Sequence, residues 1–241
     1  MARYLTKSRF QLARECPTKL FYTNKPQYAD QKDDDPFLAA LAEGGYQVGA
    51  LARAYFPEGH NIETLEYAES VRQTDALLQL DKVTLYEAAF IYNNLFVRAD
   101  IVIKTGTELK LIEVKSKSND SHGIDSMRNK NGSIASTWKP YLEDVAFQKY
   151  VASSACPNLD VHAYLVTVDK DKPCPTDGLN QKFRIITNEH GRKTVVQTEP
   201  LSQEERDQKI LRIDPVDDLC DLIWQDTYPK PDGSNRDCSF F

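Results

Sequence analysis

No stretch of this chain approaches the roughly 20 apolar residues that a membrane-spanning helix needs. The N-terminus, Met-Ala-Arg-Tyr-Leu-Thr-Lys-Ser-Arg, lacks the apolar core of a secretory signal. A cytoplasmic address is therefore the default, with no membrane partner. Cysteine is scarce. The five residues Cys16, Cys156, Cys174, Cys220 and Cys238 are odd in number, widely spaced and form no Cys-x-x-Cys. That argues against a disulfide framework and against a zinc ribbon. The four histidines, His60, His122, His162 and His190, show no ligand spacing. No Gly-rich phosphate loop is present, so nucleotide hydrolysis by a P-loop has no support. An excess of bases is also missing: the net charge is -6.

The charge is unevenly placed. Arg3, Lys7, Arg9, Arg14, Lys19 and Lys25 face one acid, Glu15, in the first 25 residues, whereas the last 41 hold ten acids against five bases. A local basic surface binds phosphates even when the total is acidic, although such runs are equally common as plain solvated faces. The length of 241 residues suits one sizeable domain, or one with an appendage.

Along the chain, Thr6–Glu15 reads as a short capped helix closed by Pro17. Asp35-Pro36 opens a second helix whose apolar face runs from Leu38 to Phe56 and stops at Pro57. Gly44, Gly45 and Gly49 weaken it and suggest close approach by another backbone. Residues 63–80 read as a further helix. The period then changes to two. Residues 83–88, 95–102 and 109–116 alternate as three strands, joined at Asn93-Asn94 and Thr105-Gly106-Thr107. Residues 117–137 are polar, with few apolar anchors, and read as a loop that orders on substrate. Pro140 opens a helix, and Asp160–Val168 reads as a strand. Phe183–Thr187 and Thr194–Thr198 form a hairpin. Ser202–Glu205 is a capping box, Asp214-Pro215 restarts that helix, and 228–241 reads as irregular.

The chemistry sits in the strands. Asp100 lies in Val97-Arg-Ala-Asp-Ile-Val-Ile103, and Glu113 and Lys115 lie in Leu109-Lys-Leu-Ile-Glu-Val-Lys115. Carboxylates on apolar strands need a counter-ion. Glu113 and Lys115, two apart, project from one face, and Asp100 reaches them across one ladder spacing. Two carboxylates suit a hard divalent cation, and an ammonium suits charge on a phosphate. The competing reading is a Glu–Lys ion pair on an exposed sheet face.

Asp100…Glu113-Val-Lys115 resembles the PD-(D/E)XK nuclease signature, in particular its RecB-like branch, which includes the RecB-like exonucleases associated with CRISPR loci. Four further segments are similar, in order: Leu5–Phe10 with Cys16–Tyr22, Glu43–Ala52, Glu87, and Asp144–Tyr150. The resemblance covers roughly residues 1–168 and departs in places. Gly49 stands where many relatives carry a histidine ligand, leaving Glu43 or Gln47 as substitutes. Ala152 stands where a tyrosine is usual, with Tyr150 two residues beyond Gln148. Cys16 fits the first ligand of the iron–sulfur cluster that several relatives bind, but the C-terminal triplet is missing.

The resemblance implies a three-layer, restriction-endonuclease-like α/β core over 1–168, with a central mixed sheet flanked by helices. A C-terminal extension over 169–241 would add a hairpin and helices. It implies metal-dependent DNA phosphodiester hydrolysis with Mg2+ or Mn2+. Asp100, Glu113 and the Val114 carbonyl would hold the metal, and Glu87 and Glu43 would contribute further contacts. Lys115 would position water, and Gln148, assisted by Tyr150, would orient a phosphate. Trp138 is the better base-stacking candidate of the two tryptophans. The alternative is a non-catalytic nucleic-acid-binding or docking module on the same fold. The apolar ending after a polar tail suggests a piece of a longer protein, with further domains or partners in a nucleic-acid-processing or defence system. The missing triplet predicts that this chain purified anaerobically carries no iron–sulfur cluster. Near-stoichiometric iron with a brown visible spectrum would contradict that.

Overall fold

The computed structural model describes residues 4–23, 25, 27–28, 35–120, 122–187 and 193–225, and the backbone of 227–229 and 235–237. In chain order the first elements are β1 (Leu5–Thr6), α1 (Lys7–Glu15), α2 (Pro17–Tyr22), α3 (Pro36–Ala54), β2 (His60–Asn61) and α4 (Tyr67–Leu77). The centre of the chain forms β3 (Lys82–Tyr92), β4 (Leu95–Thr105), β5 (Glu108–Asn119), α5 (Lys139–Ala155) and β6 (Asp160–Asp169). The remainder forms β7 (Phe183–Thr187), β8 (Lys193–Gln197), α6 (Gln203–Asp207), β9 (Leu211–Pro215), α7 (Asp217–Gln225), β10 (Thr227–Pro229) and β11 (Asn235–Asp237). The expected irregular tail thus contains a short antiparallel pair, Thr227–Pro229 with Asn235–Asp237; its other residues lie outside the described ones.

The helix starts follow from local chemistry. The Thr6 hydroxyl accepts from the Arg9 amide at 3.4 Å, and Cys16 is extended before Pro17, which divides α1 from α2. Asp35 accepts from the amides of Phe37 and Leu38 at 2.9 and 3.3 Å, with Pro36 in the first turn. A Cβ added at Gly44 or Gly49 would meet nothing within 4 Å, so the anticipated close approach of another backbone does not occur there.

The main sheet runs β2-β3-β4-β5-β6-β9, with β1 attached to β4. It is mixed: β3, β4 and β5 form an antiparallel meander, β5 and β6 are parallel, and β9 returns antiparallel to β6. The two meander turns carry Asn93 and Gly106 at φ 51 and 59, left-handed conformations that suit those residue types. One face of the sheet packs on α5 and α1 through Phe147, Val151 and Phe10, and the region nearer β6 packs on α7 through Leu219 and Ile223. The opposite face meets α3 through Leu51 and Tyr55, together with Phe183 and Leu201.

Three expectations are corrected. Leu211–Pro215 forms an unexpected strand, and the helix restart read at Asp214-Pro215 comes two residues later, at Asp217: Pro215 ends an edge strand, where its missing N–H costs no ladder bond. The alternation along β3 and β4 is not continuous. Val83 and Leu85 share one apolar cluster with Ala88 and Phe90, and Val97 and Ala99 share it with Val102, whereas Ile101 packs on the other face. Alternation therefore slips by one at Glu87 and beside Asp100. Glu87 has φ 57, and it and Asp100, opposite each other, are the pair missing from an otherwise continuous β3–β4 register.

The segment 117–137 is also better anchored than its polarity suggested. β5 extends to Asn119, and a 3₁₀ turn follows at Gly123–Met127. Met127 is fully buried and joins Ile134 and Trp138 in a cluster with Leu142, Val145 and Leu165. Trp138 is thereby a core residue, with the Lys117 ammonium 4.7 Å above its ring, and not a stacking platform. Met127→Ala is expected to destabilise the fold by about 2–4 kcal/mol. Denaturant unfolding measures this; a change under 0.5 kcal/mol would mean that the segment is not part of the core.

Candidate functional site

The site begins where one ladder ends. β4 and β5 pair from Thr105↔Glu108 to Ile101↔Ile112 and then part, one residue before Asp100 would face Glu113. Beyond the fork the Asp100 carboxylate takes the place of the neighbouring strand: its Oδ2 accepts from the Val114 amide at 2.7 Å. β3 holds one edge of β4 throughout, so β1 joins on the fork side, at Leu5↔Leu95 and Thr6↔Phe96. That contact carries the first residue of α1, Lys7, over the opening.

Behind the fork lies a buried net of charges. Lys7 Nζ donates to both oxygens of Glu113, at 2.9 and 3.1 Å. Lys115 Nζ reaches Glu113 at 2.7 Å and Asp144 at 2.6 Å. Gln148 Nε2 donates to Glu113 at 2.8 Å and to Asp144 at 3.4 Å. Asp144 and Gln148 are one helical turn apart on α5, so they present to β5 together. After Val114 the β5–β6 register shifts: Lys115, Ser116 and Lys117 stand opposite the single residue Thr167. This bulge swings Lys115 out of regular pairing.

Three carboxylates, Asp100, Glu113 and Asp144, thus meet two ammonium groups, Lys7 and Lys115, leaving one negative charge in excess. The titration behaviour follows. Burial pushes Asp100 up and the Glu113 charge adds to it, to about 7. Burial and Glu113 likewise raise Asp144 to about 6. Burial opposes the charge on Glu113 too, but Lys7 and Lys115 overcome it and hold its carboxyl well below the usual range. Burial opposes the Lys7 and Lys115 charges as well, yet the acids around them keep both ammonium groups protonated.

Asp100 opens on a cleft of about 1660 Å³, whose walls include Arg53, Glu87, Arg98, Val114 and Lys193. Glu87 is held by Arg53 at 2.5 Å and Arg98 at 3.5 Å.

Of the residues singled out in the sequence, Asp100, Glu113, Lys115 and Gln148 converge, and Val114 contributes its amide. Gln148 does not face the cleft: it is wholly buried against Glu113, and its Oε1 has no hydrogen-bond partner among the described residues. Glu87 reaches the cleft but is engaged by arginines. Tyr150 lies elsewhere. Two residues along a helix turn a side chain by about 200°, and its ring packs edge-on against Tyr92, 6.0 Å away. Glu43 is exposed and pairs with Lys193 at 2.8 Å, and Gln47 ties α3 to Asn180 and Phe183 through their carbonyls. The sequence reading missed Lys7, Asp144, Arg53 and Arg98. Asp144 had a signal, a carboxylate one turn before Gln148 on an otherwise apolar helix face. Lys7 had none beyond membership of a basic run.

Among the described residues no three His, Cys, Asp or Glu side chains stand ready as a metal-ligand cluster. A divalent cation nevertheless fits by chemistry. Asp100 is a hard oxygen donor at the mouth of the cleft, Glu113 adjoins it, and the excess charge is negative. No helix among the described residues is long and apolar enough to cross a membrane. In comparisons with known proteins the chain matches no family model, no curated protein and no solved structure.

The raised Asp100 makes a signed prediction. Its folded value near 7 exceeds the ordinary 3.8, so the unfolded chain gives up this proton first. Its contribution weakens the fold progressively as pH rises from about 4 to 7. Asp100→Asn keeps an acceptor for the Val114 amide and removes the charge. It is expected to raise Tm at pH 8, by about 2–4 °C per kcal/mol regained, and to flatten the loss of stability between pH 4 and 7. Thermal melts across that range measure this, and a lower Tm at pH 8 would contradict it.

Proposed function

We propose that this chain is a metal-dependent nuclease that hydrolyses DNA phosphodiester bonds, with the β4–β5 fork as its active site. One observation carries the reading. A carboxyl that burial and the Glu113 charge push up to about 7, Asp100, lines a large cleft beside the buried Glu113, which Lys115 pairs with. A purely structural ion pair needs no raised carboxyl on the wall of a cleft, whereas functional sites gather such groups. The cleft also exceeds the roughly 300–1,000 Å³ of ordinary small-molecule pockets, which suits a polymer. Within this reading the fold is a restriction-endonuclease-like core, and the chain resembles the RecB-like branch of the PD-(D/E)XK enzymes.

Asp100 and Glu113 would hold Mg2+ or Mn2+, with the Val114 carbonyl as a third oxygen. The bound cation supplies Lewis acidity toward a phosphoryl oxygen and a more acidic water. The protein's own contributions follow from the contacts described. The Val114 amide fixes the Asp100 carboxylate. Gln148 and Lys7 fix Glu113, acting as positioning residues. Lys115, held between Glu113 and Asp144 but partly exposed, offers an ammonium to the attacking water and to charge developing on the phosphate. A binding module without turnover draws on a different observation, that the Glu113 oxygens are already occupied by Lys7, Lys115 and Gln148.

Cleavage of labelled DNA in Mg2+ or Mn2+ separates the two. The parental chain is expected to cut and to stop in EDTA. Lys115→Ala is expected to lower the rate by about a hundredfold or more while retaining DNA binding in Ca2+. It should also lose stability, because Asp144 and Glu113 lose a buried partner; the assay is therefore run well below its measured Tm. Folded Lys115→Ala cutting at the parental rate would sink the active-site assignment, and a parental chain that binds but never cuts would favour the binding module.

A further inference from the structure

The arginines in the cleft wall make no hydrogen bond to the net round Glu113, and their arrangement points to a ligand of its own. Arg98 is fixed in place: Nη1 donates to the Thr64 carbonyl at 2.6 Å and Nη2 to the Ile62 carbonyl at 2.5 Å. Its Nε faces Glu87 at 3.5 Å. Arg53, on α3, gives Nη2 to the other Glu87 oxygen and lies 5.4 Å over the Tyr86 ring. The remaining Arg53 donors have no partner among the described residues. Two guanidinium groups therefore converge on a single carboxylate inside the cleft, one strand position from Asp100, leaving a net positive charge.

Glu87 is an uncomfortable occupant. It has φ 57, a conformation that favours glycine over a branched or long L side chain, and it is skipped in the β3–β4 ladder between Tyr86↔Ile101 and Ala88↔Ala99. Strain of this kind persists where the surroundings hold it and is concentrated at ligand clamps. Its side chain is 34% exposed, so it has solvent to turn into. Carboxylates and phosphodiesters each offer arginine's planar fork two oxygens, and each carries a single negative charge.

We propose that Arg53 and Arg98 form a phosphate-binding pair for the DNA backbone, and that Glu87 occupies this pair in the free protein as a stand-in for the phosphate. The entering strand displaces Glu87, which swings toward solvent, while Arg98 stays anchored on Ile62 and Thr64 and Arg53 closes with its unused donors. In this arrangement Glu87 is a competitor of the substrate and not a metal ligand. It keeps the guanidinium pair from capturing loose anions and sets a threshold that a polymer, with several phosphates bound at once, crosses more readily than a single ion. The assignment rests on the nuclease reading for the identity of the strand, but it concerns binding alone.

The test is fluorescence anisotropy of a labelled single-stranded oligodeoxynucleotide in EDTA, so that neither a metal nor cleavage enters. Glu87→Gln removes the competing charge, and Glu87→Gly removes it while matching the backbone conformation; the second variant keeps the test open if the first folds poorly. Both are expected to bind about five- to tenfold more tightly than the parental chain, a coupling of ordinary size for two sites. Arg53→Ala is expected to weaken binding, and Glu87→Gln added to Arg53→Ala should give little further gain. Unchanged or weaker binding by a folded Glu87 variant overturns the proposal. So does a loss of Mn2+ affinity in Glu87→Gln, which would make Glu87 a ligand. The nuclease reading fails separately: a chain whose Glu87 variants bind more tightly yet never cleaves in Mg2+ or Mn2+ keeps the phosphate pair and loses the catalytic assignment. A chain that cleaves normally but shows no Glu87 effect does the reverse.

Discussion

A single hydrogen bond, from the Val114 amide to the Asp100 carboxylate, organises the centre of this protein. Strand β5 leaves β4 after Ile112, and a parted strand exposes backbone donors that are costly to bury unpaired. Asp100 satisfies one of them with a side chain instead of a main-chain carbonyl. That substitution holds the fork open by a fixed amount and puts a charge at its mouth. Everything behind it compensates. Glu113 is adjacent and buried, so two lysines and an amide gather round it. Asp144 follows because Lys115 has more donors than Glu113 can use.

The two faces of the sheet divide the work. The face toward α1 and α5 is dry and closed by apolar packing, with Phe10 and Phe147 stacked at 4.3 Å beside the charge net. The face toward α3 is open along the cleft, and its charged residues include Arg53, Arg98, Glu87, Lys193 and Asp100. Asp100 is the point where the two environments touch, and this explains why its carboxyl stands so far from its ordinary value. Low dielectric behind it and water in front give a group whose charge is neither free nor fully compensated.

The meander, its two turns, the first two helix starts and the convergence of Asp100, Glu113 and Lys115 were legible in the sequence. Each depends on short-range rules: caps, turn residues and period-two alternation. What escaped has a common cause, in that it depends on neighbours distant in the chain. Leu211–Pro215 shows no strand signal of its own until β6 is known to offer it an edge, whereas the helix after Pro215 follows from local rules. The polar segment at 117–137 contains only Ile124, Met127 and Ile134 as large apolar residues, and their burial is set by α5 and α7. The phase slip at Glu87 and Asp100 breaks the alternation rule itself: Glu87 is left-handed and turns the later side chains of its strand to the opposite face, and β4 slips at the residue opposite it. Tyr150 was placed by analogy of spacing, and helical geometry turns it away.

The site is also assembled from widely separated parts of the chain. Lys7 and Glu113 are 106 residues apart, and Arg14 and Glu143, which pin α1 to α5, are 129 apart. During synthesis the N-terminal segment leaves the ribosome long before any of its partners exist, at a pace of about 5–20 residues per second. The strand that parts the fork, the helix that backs it and the lysine that covers it come together only when α5 has emerged. The buried charges of the net therefore wait many seconds for their partners in a growing chain, and they reach their full complement at the moment the domain closes.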